Sequence, residues 1–176
     1  MKHAISMAVM LASALLVGGA AKAQTQPANP LDIVPDKMPF ATPYGPPISL
    51  QQAQSVIQAA VNEATKRGWP ESFAVVDSGA NLVAFVRMDG AILAAIPIAE
   101  HKARTAVLFR RPTRAFEDAV QRSGYNYVLS LDGAIASRGG LLLIEDGKIV
   151  GAVGCSGGTP SQDEVICTTA AATINK

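Results

Sequence analysis

Two turn sequences constrain this chain more than any other feature. Asp77-Ser78-Gly79-Ala80-Asn81 lies between the apolar runs 73–76 and 82–88, and Glu145-Asp146-Gly147 lies between 139–144 and 148–153. Asp, Gly and Asn reach turn dihedrals that most side chains resist, so each stretch reads as a hairpin. Two hairpins commit four segments to antiparallel pairing. In the run 82–88, Leu82, Ala84, Val86 and Met88 share one face, and Val83, Phe85 and Arg87 the other. Both faces are apolar up to Arg87, so this strand is expected to be covered on both sides.

Helical patterns fill the space around the hairpins. Leu50, Ala53, Val56, Ile57, Ala60, Val61 and Ala64 follow a helical period. Ser49 and Gln52 have capping-box spacing ahead of them, and Gly68 and Pro70 stop the helix. A second helix is expected over 96–108, with Pro97 in its first turn and a stripe of Ala99, Ala103 and Ala106 that allows close packing. Thr113 is positioned to cap a third helix running to about 122, and Ser161 with Glu164 to open a last one running to about 174. The order α-ββ-α-α-ββ-α predicts an α/β protein of the α+β type, a central antiparallel sheet flanked by helices.

The N-terminus reads as an export signal. Lys2 precedes an apolar stretch from Ala4 to Val17, and Ala21-Lys22-Ala23 fits signal-peptidase cleavage, so 1–23 is assigned as a signal peptide. The mature product is expected in the periplasm or secreted, with no integral membrane segment after cleavage. Residues 24–47 are proline-rich and read as an extended arm in which Leu31, Ile33, Val34, Met38 and Phe40 can be buried. Residues 48–176 form one domain. Cys155 and Cys167 stand open between a disulfide, which an oxidising compartment permits, and two separate buried thiols.

Charge narrows the partners. Removing Lys2 and Lys22 from the 15 basic residues leaves 13 against 14 acidic ones, which argues against nucleic acid or an anionic membrane as partner. The basic groups cluster at Arg87, Lys102, Arg104, Arg110, Arg111, Arg114 and Arg122. That segment suits an anionic ligand, or equally a solvated helix face laced with pairs such as Glu100–Arg104. His101, the one histidine left after cleavage, lies about 200° around the helix from Ala99 and so faces away from the alanine stripe, with Ile98 and Thr105 on its side. The glycine-rich stretch 154–161 lacks the spacing of a nucleotide loop, but glycines before a helix can present N–H groups to an anion. One histidine and two cysteines make no zinc site, and no nucleophile motif is present.

Several stretches together resemble the GlcG/HbpS family: Val75-Val76-Asp77-Ser78-Gly79, Phe85-Val86-Arg87-Met88-Asp89-Gly90-Ala91, Ala99-Glu100-His101-Lys102-Ala103-Arg104-Thr105-Ala106, Arg111-Pro112-Thr113 and Gly151-Ala152-Val153-Gly154-Cys155-Ser156-Gly157-Gly158 with Asp163-Glu164. The resemblance covers about 48–174. It implies the same antiparallel sheet, a homo-oligomer from dimer to octamer, and haem as a small-molecule ligand. Relatives include the C-terminal domain of PduO corrinoid adenosyltransferases. Haem-binding relatives can use a histidine on the first helix, and 49–66 contains none. The resemblance therefore directs attention to His101 as iron ligand, with Met88, Tyr125, Tyr127 or the Thr113 hydroxyl as substitutes. Arg87, Arg104 and Arg111 would pair with propionates, and Thr105 stands beside the histidine. Two other functions stay open: an enzyme or accessory factor that holds a small organic acid with the glycine loop and Arg104, and an oligomeric scaffold without catalysis.

Overall fold

The structure, a computed structural model, describes residue 31 and residues 33–175. The signal-peptide assignment therefore lies outside the described residues. The chain divides into two units, Met1–Asp36 and Lys37–Lys176. The second unit starts within the proline-rich stretch and contains every element below.

Helix α1 (Leu50–Arg67) begins at the capping box formed by Ser49 and Gln52 and ends at Gly68, whose left-handed φ of 69° suits a residue without Cβ. Strands β1 (Ser72–Asp77) and β2 (Leu82–Arg87) form the first hairpin. Its turn is held by the Asp77 carboxylate, which accepts from the Gly79 and Asn81 amides at 2.8 and 2.9 Å. Helices α2 (Ala95–Leu108) and α3 (Arg114–Gln121) follow, then a 3-10 turn over Asn126–Ser130. Strands β3 (Gly140–Glu145) and β4 (Lys148–Ser156) make the second hairpin, and α4 (Pro160–Ala171) closes the fold.

The four strands are antiparallel in the order β2-β1-β4-β3. The two hairpins thus meet through β1 and β4, and each residue of these central strands has a fixed side. Phe73, Val75, Val153 and Cys155 face α1 and α4, while Ala74, Val76 and Ala152 face α2. Beyond the end of β1, residues 43–48 cover the free side of β4: Gly45 and Ile48 donate to the Ile149 and Val150 carbonyls at 2.8 and 2.9 Å.

Helix α2 lies unusually close to the sheet, and two glycines make this possible. Gly154 and Gly140 face each other across β4 and β3. A Cβ on Gly154 would overlap the Ala99 carbonyl, and one on Gly140 would overlap the Lys102 carbonyl. The small stripe of Ala99, Ala103 and Ala106 supplies the other half of this fit; all three are fully buried.

Three local expectations are corrected. Strand β2 is an edge strand with Leu82 and Val86 exposed, because the helices that cover the sheet centre on β1 and β4. The cap of α4 is Thr159 with Gln162, not Ser161 with Glu164. Pro160 has no N–H to lose and its fixed φ suits the first helical position, which sets the cap one residue before it. Thr113 precedes α3 without a side-chain cap, because its hydroxyl accepts instead from the Gly140 amide at 2.9 Å.

Candidate functional site

Helix α2 has two faces of different character. Ala99, Lys102, Ala103 and Ala106 recur at helical spacing and are buried against the sheet. On the opposite face His101 is exposed, and the exposed Pro97 and Leu108 and the half-buried Ile98 follow the same period. The turn leading into α2 adds Ile92 and Leu93, the latter 73 % exposed. His101 is the only histidine among the described residues, and its ring has no hydrogen bond to any of them. An exposed imidazole with no partner in the protein, beside exposed apolar side chains, leaves its ring nitrogens accessible to a ligand.

The other residues singled out from sequence distribute differently. Arg104 shares the outer face, where Nη1 meets Glu100 at 3.1 Å and Nε donates to the Ala80 carbonyl at 3.4 Å. Thr105 is buried; its hydroxyl donates to the Gly133 carbonyl at 2.8 Å and accepts from the Ile135 amide at 3.1 Å. Arg111 lies past the end of α2, stacked on Phe40 at 4.0 Å and Phe116 at 4.4 Å, and burial lowers its pKa. Thr113 ties the start of α3 to β3, its hydroxyl engaged by Gly140. Arg87 ends β2 in solvent without an acidic partner among the described residues, and Met88 packs inward on the core. The structure thus brings together His101 and Arg104. It leaves Arg87, Arg111 and Thr113 on other elements. Tyr125 and Tyr127 pair with each other in the 3-10 segment, 6.2 Å between ring centres.

The glycine loop turns its donors inward. Gly158 N–H donates to Asp163 at 3.0 Å and Thr159 N–H to Gln162 at 2.8 Å, so both donors are already engaged within the protein.

A second constellation escaped the sequence reading. Lys102 projects from the buried face of α2 to Asp163 on α4, Nζ to Oδ2 2.6 Å, and also donates to the Cys155 carbonyl at 3.2 Å. Both side chains are almost fully buried. Glu71, just before β1, is fully buried, and neither of its carboxyl oxygens has a partner. Burial pushes its pKa up to about 8; the charge of Asp163 adds to the shift and that of Lys102 opposes it. Glu71 is therefore a neutral acid at pH 7, and the group is balanced as one cation, one anion and one acid. The disulfide Cys155–Cys167, with Cα atoms 5.7 Å apart, ties β4 to α4 one turn beyond Asp163. This settles the cysteine alternatives in favour of the bridge.

A family model described as "Haem degrading protein HbpS-like" matches residues 48–172. The chain belongs to this HbpS-like family. Within it, Protein GlcG of Escherichia coli strain K12 is 40 % identical over 109 residues, covering 62 % of this chain and 81 % of GlcG. Two solved structures of HbpS-like relatives have the same fold. The PduOC:heme complex superposes with a TM-score of 0.66 at 32 % identity, covering 73 % of this chain and 96 % of that one. A variant of Streptomyces reticuli HbpS superposes at 0.68 with 27 % identity, covering 81 % and 96 %. The outer face of α2, the buried Glu71–Lys102–Asp163 group and the disulfide all lie inside the HbpS-like region of this chain.

Proposed function

We propose that this protein binds haem on the outer face of α2, with the His101 imidazole as iron ligand, and serves haem or iron handling outside the cytoplasm. The observation that carries this reading is the exposed imidazole of His101, without a partner in the protein, on the helix face it shares with Pro97, Ile98 and Leu108. These residues fit the group: imidazole is a proximal haem ligand and apolar side chains cover a porphyrin face. Arg104 is the propionate partner within reach on the same face. Its pairing with Glu100 is a half-exposed ion pair, weak enough to be exchanged for a carboxylate of the ligand. Bound iron porphyrin would supply one-electron and dioxygen chemistry. The family resemblance and the haem complex of PduOC support the same ligand class.

One helix face covers only one side of a flat ligand. We infer a homo-oligomer in which a second copy covers the other side and buries the apolar strip as well. The buried disulfide supports an oxidising compartment, in line with the export signal read at 1–23.

The test is a hemin titration of the purified protein beside His101→Ala, followed in the Soret band. A stoichiometric shift is expected in the wild type, with loss or displacement of the band in the variant while the far-UV spectrum stays unchanged. No shift in the wild type rejects haem. An unaltered shift in the variant rejects His101 as ligand.

A further inference from the structure

Glu71 is the least satisfied polar group described in the fold. It is wholly buried, both oxygens lack a hydrogen-bond partner, and the hydroxyl of the next residue, Ser72, lacks one too. Buried polar groups normally find partners, so an orphan acid marks either a stored cost or a working group. The charged groups around it come from every neighbouring element. Asp163 belongs to α4 and Lys102 to α2, while Arg87 on β2 pairs across the sheet with Ser72. On the α1 side Arg67 stacks over Trp69 at 5.0 Å and holds Glu63 at 2.6 Å.

What lies over Glu71 is the glycine loop. A Cβ on Gly157 would come within 2.7 Å of the Glu71 Cα and 2.9 Å of its Cγ, so the loop backbone rests directly on this side chain. Gly158 is held from the same side by Asp163. The other side of the loop is open. Gly157 and Gly158 form one wall of a cleft of about 240 Å³ also lined by Gly68, Trp69, Pro70, Gly90, Ile92 and Gln162. Gly157 therefore touches the Glu71 side chain and also lines the cleft.

Lys102 carries one positive charge and Asp163 already neutralises it. An ionised Glu71 would be a second buried anion without a cation of its own, a state that water must relieve. The strands and helices around it are fixed by the Cys155–Cys167 bridge and by the close seat of α2 on Gly154. The 157–158 stretch is the part that can yield, because it borders open space and carries no side chains; Asp163 holds the Gly158 amide, and Thr159 stays fixed as the cap of α4.

We propose that Glu71 is a proton-operated latch for the Gly157–Gly158 backbone: in the acid form these glycines lie closed over it, and loss of the proton lifts them and reshapes the cleft beside Trp69. Burial raises the carboxyl to about 8 in the closed form, and opening draws the midpoint of the coupled transition below that value. The latch is independent of haem and of His101.

Trp69 is the only tryptophan in the chain, so intrinsic fluorescence reads the cleft directly. In the full-length protein a reversible one-proton change in Trp69 emission is expected, centred between the ordinary carboxylate value of 4.5 and the closed-form value of about 8. Glu71→Gln should abolish it while Trp69 stays in the closed-state environment at all pH values. A second measurement uses only the wild type. In carbon-13 and nitrogen-15 spectra, the Glu71 carboxyl and the Gly157 and Gly158 amides should titrate together with that midpoint. A Trp69 transition that persists in Glu71→Gln, or glycine amides that stay still while the Glu71 carboxyl titrates, would overturn the latch.

Discussion

Glu71→Gln should stabilise this protein, and the gain should grow with pH. Glutamine has the shape of the protonated acid and cannot ionise. In the wild type, burial moves the Glu71 carboxyl from 4.5 to about 8 on folding. Between those two values the native state holds a proton that the unfolded chain has released. Stability therefore falls as pH rises across this window, by about 1.4 kcal/mol per unit for one group. The stabilising side is the acid side, the reverse of a salt-bridged carboxylate. Taken over the whole window the loss is about 5 kcal/mol, an upper bound because the glycine loop can open and admit water. The wild-type penalty measured against Glu71→Gln should then lie between roughly 2 and 5 kcal/mol above the window. The assay is urea unfolding of both proteins at about pH 5, 7 and 9 with the disulfide intact, assuming two-state transitions. The pH-dependent part of the difference should be smallest at the lowest pH, about 1 kcal/mol, and the variant should lead increasingly above it. Titrating groups not coupled to Glu71 are shared and cancel in the difference. A difference that does not change with pH, or a wild type that gains on the variant toward high pH, would refute the reasoning, because both require an acid that is already ionised or already solvated.

Two further perturbations test the framework around that acid. Lys102→Met leaves Asp163 as a buried charge without its cation and should cost about 3–5 kcal/mol in denaturant unfolding; a loss below about 1 kcal/mol would mean that water reaches the pair. Gly154→Ala places a methyl where the Ala99 carbonyl stands, so α2 must lift from the sheet; a drop of about 1–3 kcal/mol or more is expected, read as a lowered melting temperature, and an unchanged melting temperature would show that α2 is not seated as described.

The elements were legible in the sequence because local chemistry decides them. Ser49 with Gln52, Gly68, and the turns at 77–81 and 145–147 each specify their own geometry without help from distant residues. Where reading failed, a competing local signal or the topology decided. Pro160 outbid Ser161 for the start of α4, and Thr113 gave its hydroxyl to β3 because β3 happens to pass beside it. The apolar residues of β2 say nothing about strand order, so its place at the edge had to come from the structure.

The buried acid group shows most clearly where a signal was present and was misread. Lys102 belongs by composition to the basic stretch 87–122, and counting charges assigns it to a solvated face. By period, however, it lies three residues after Ala99 and four before Ala106, inside the alanine stripe that packs on the sheet. A lysine at that position must either break the packing or bring a carboxylate with it. The period thus required a buried acid partner somewhere in the chain, although nothing local could identify it as Asp163, 61 residues away. Glu71 offered no such signal. Its carboxyl is buried only because the β1–β4 pairing brings Ser72 against Ser156 and draws the following glycines over it. His101 is the converse case: its side of α2 is fixed by helical geometry, so its exposure follows from the sequence. The value of that exposure depends on Pro97, Ile98 and Leu108, the apolar residues that share its helix face.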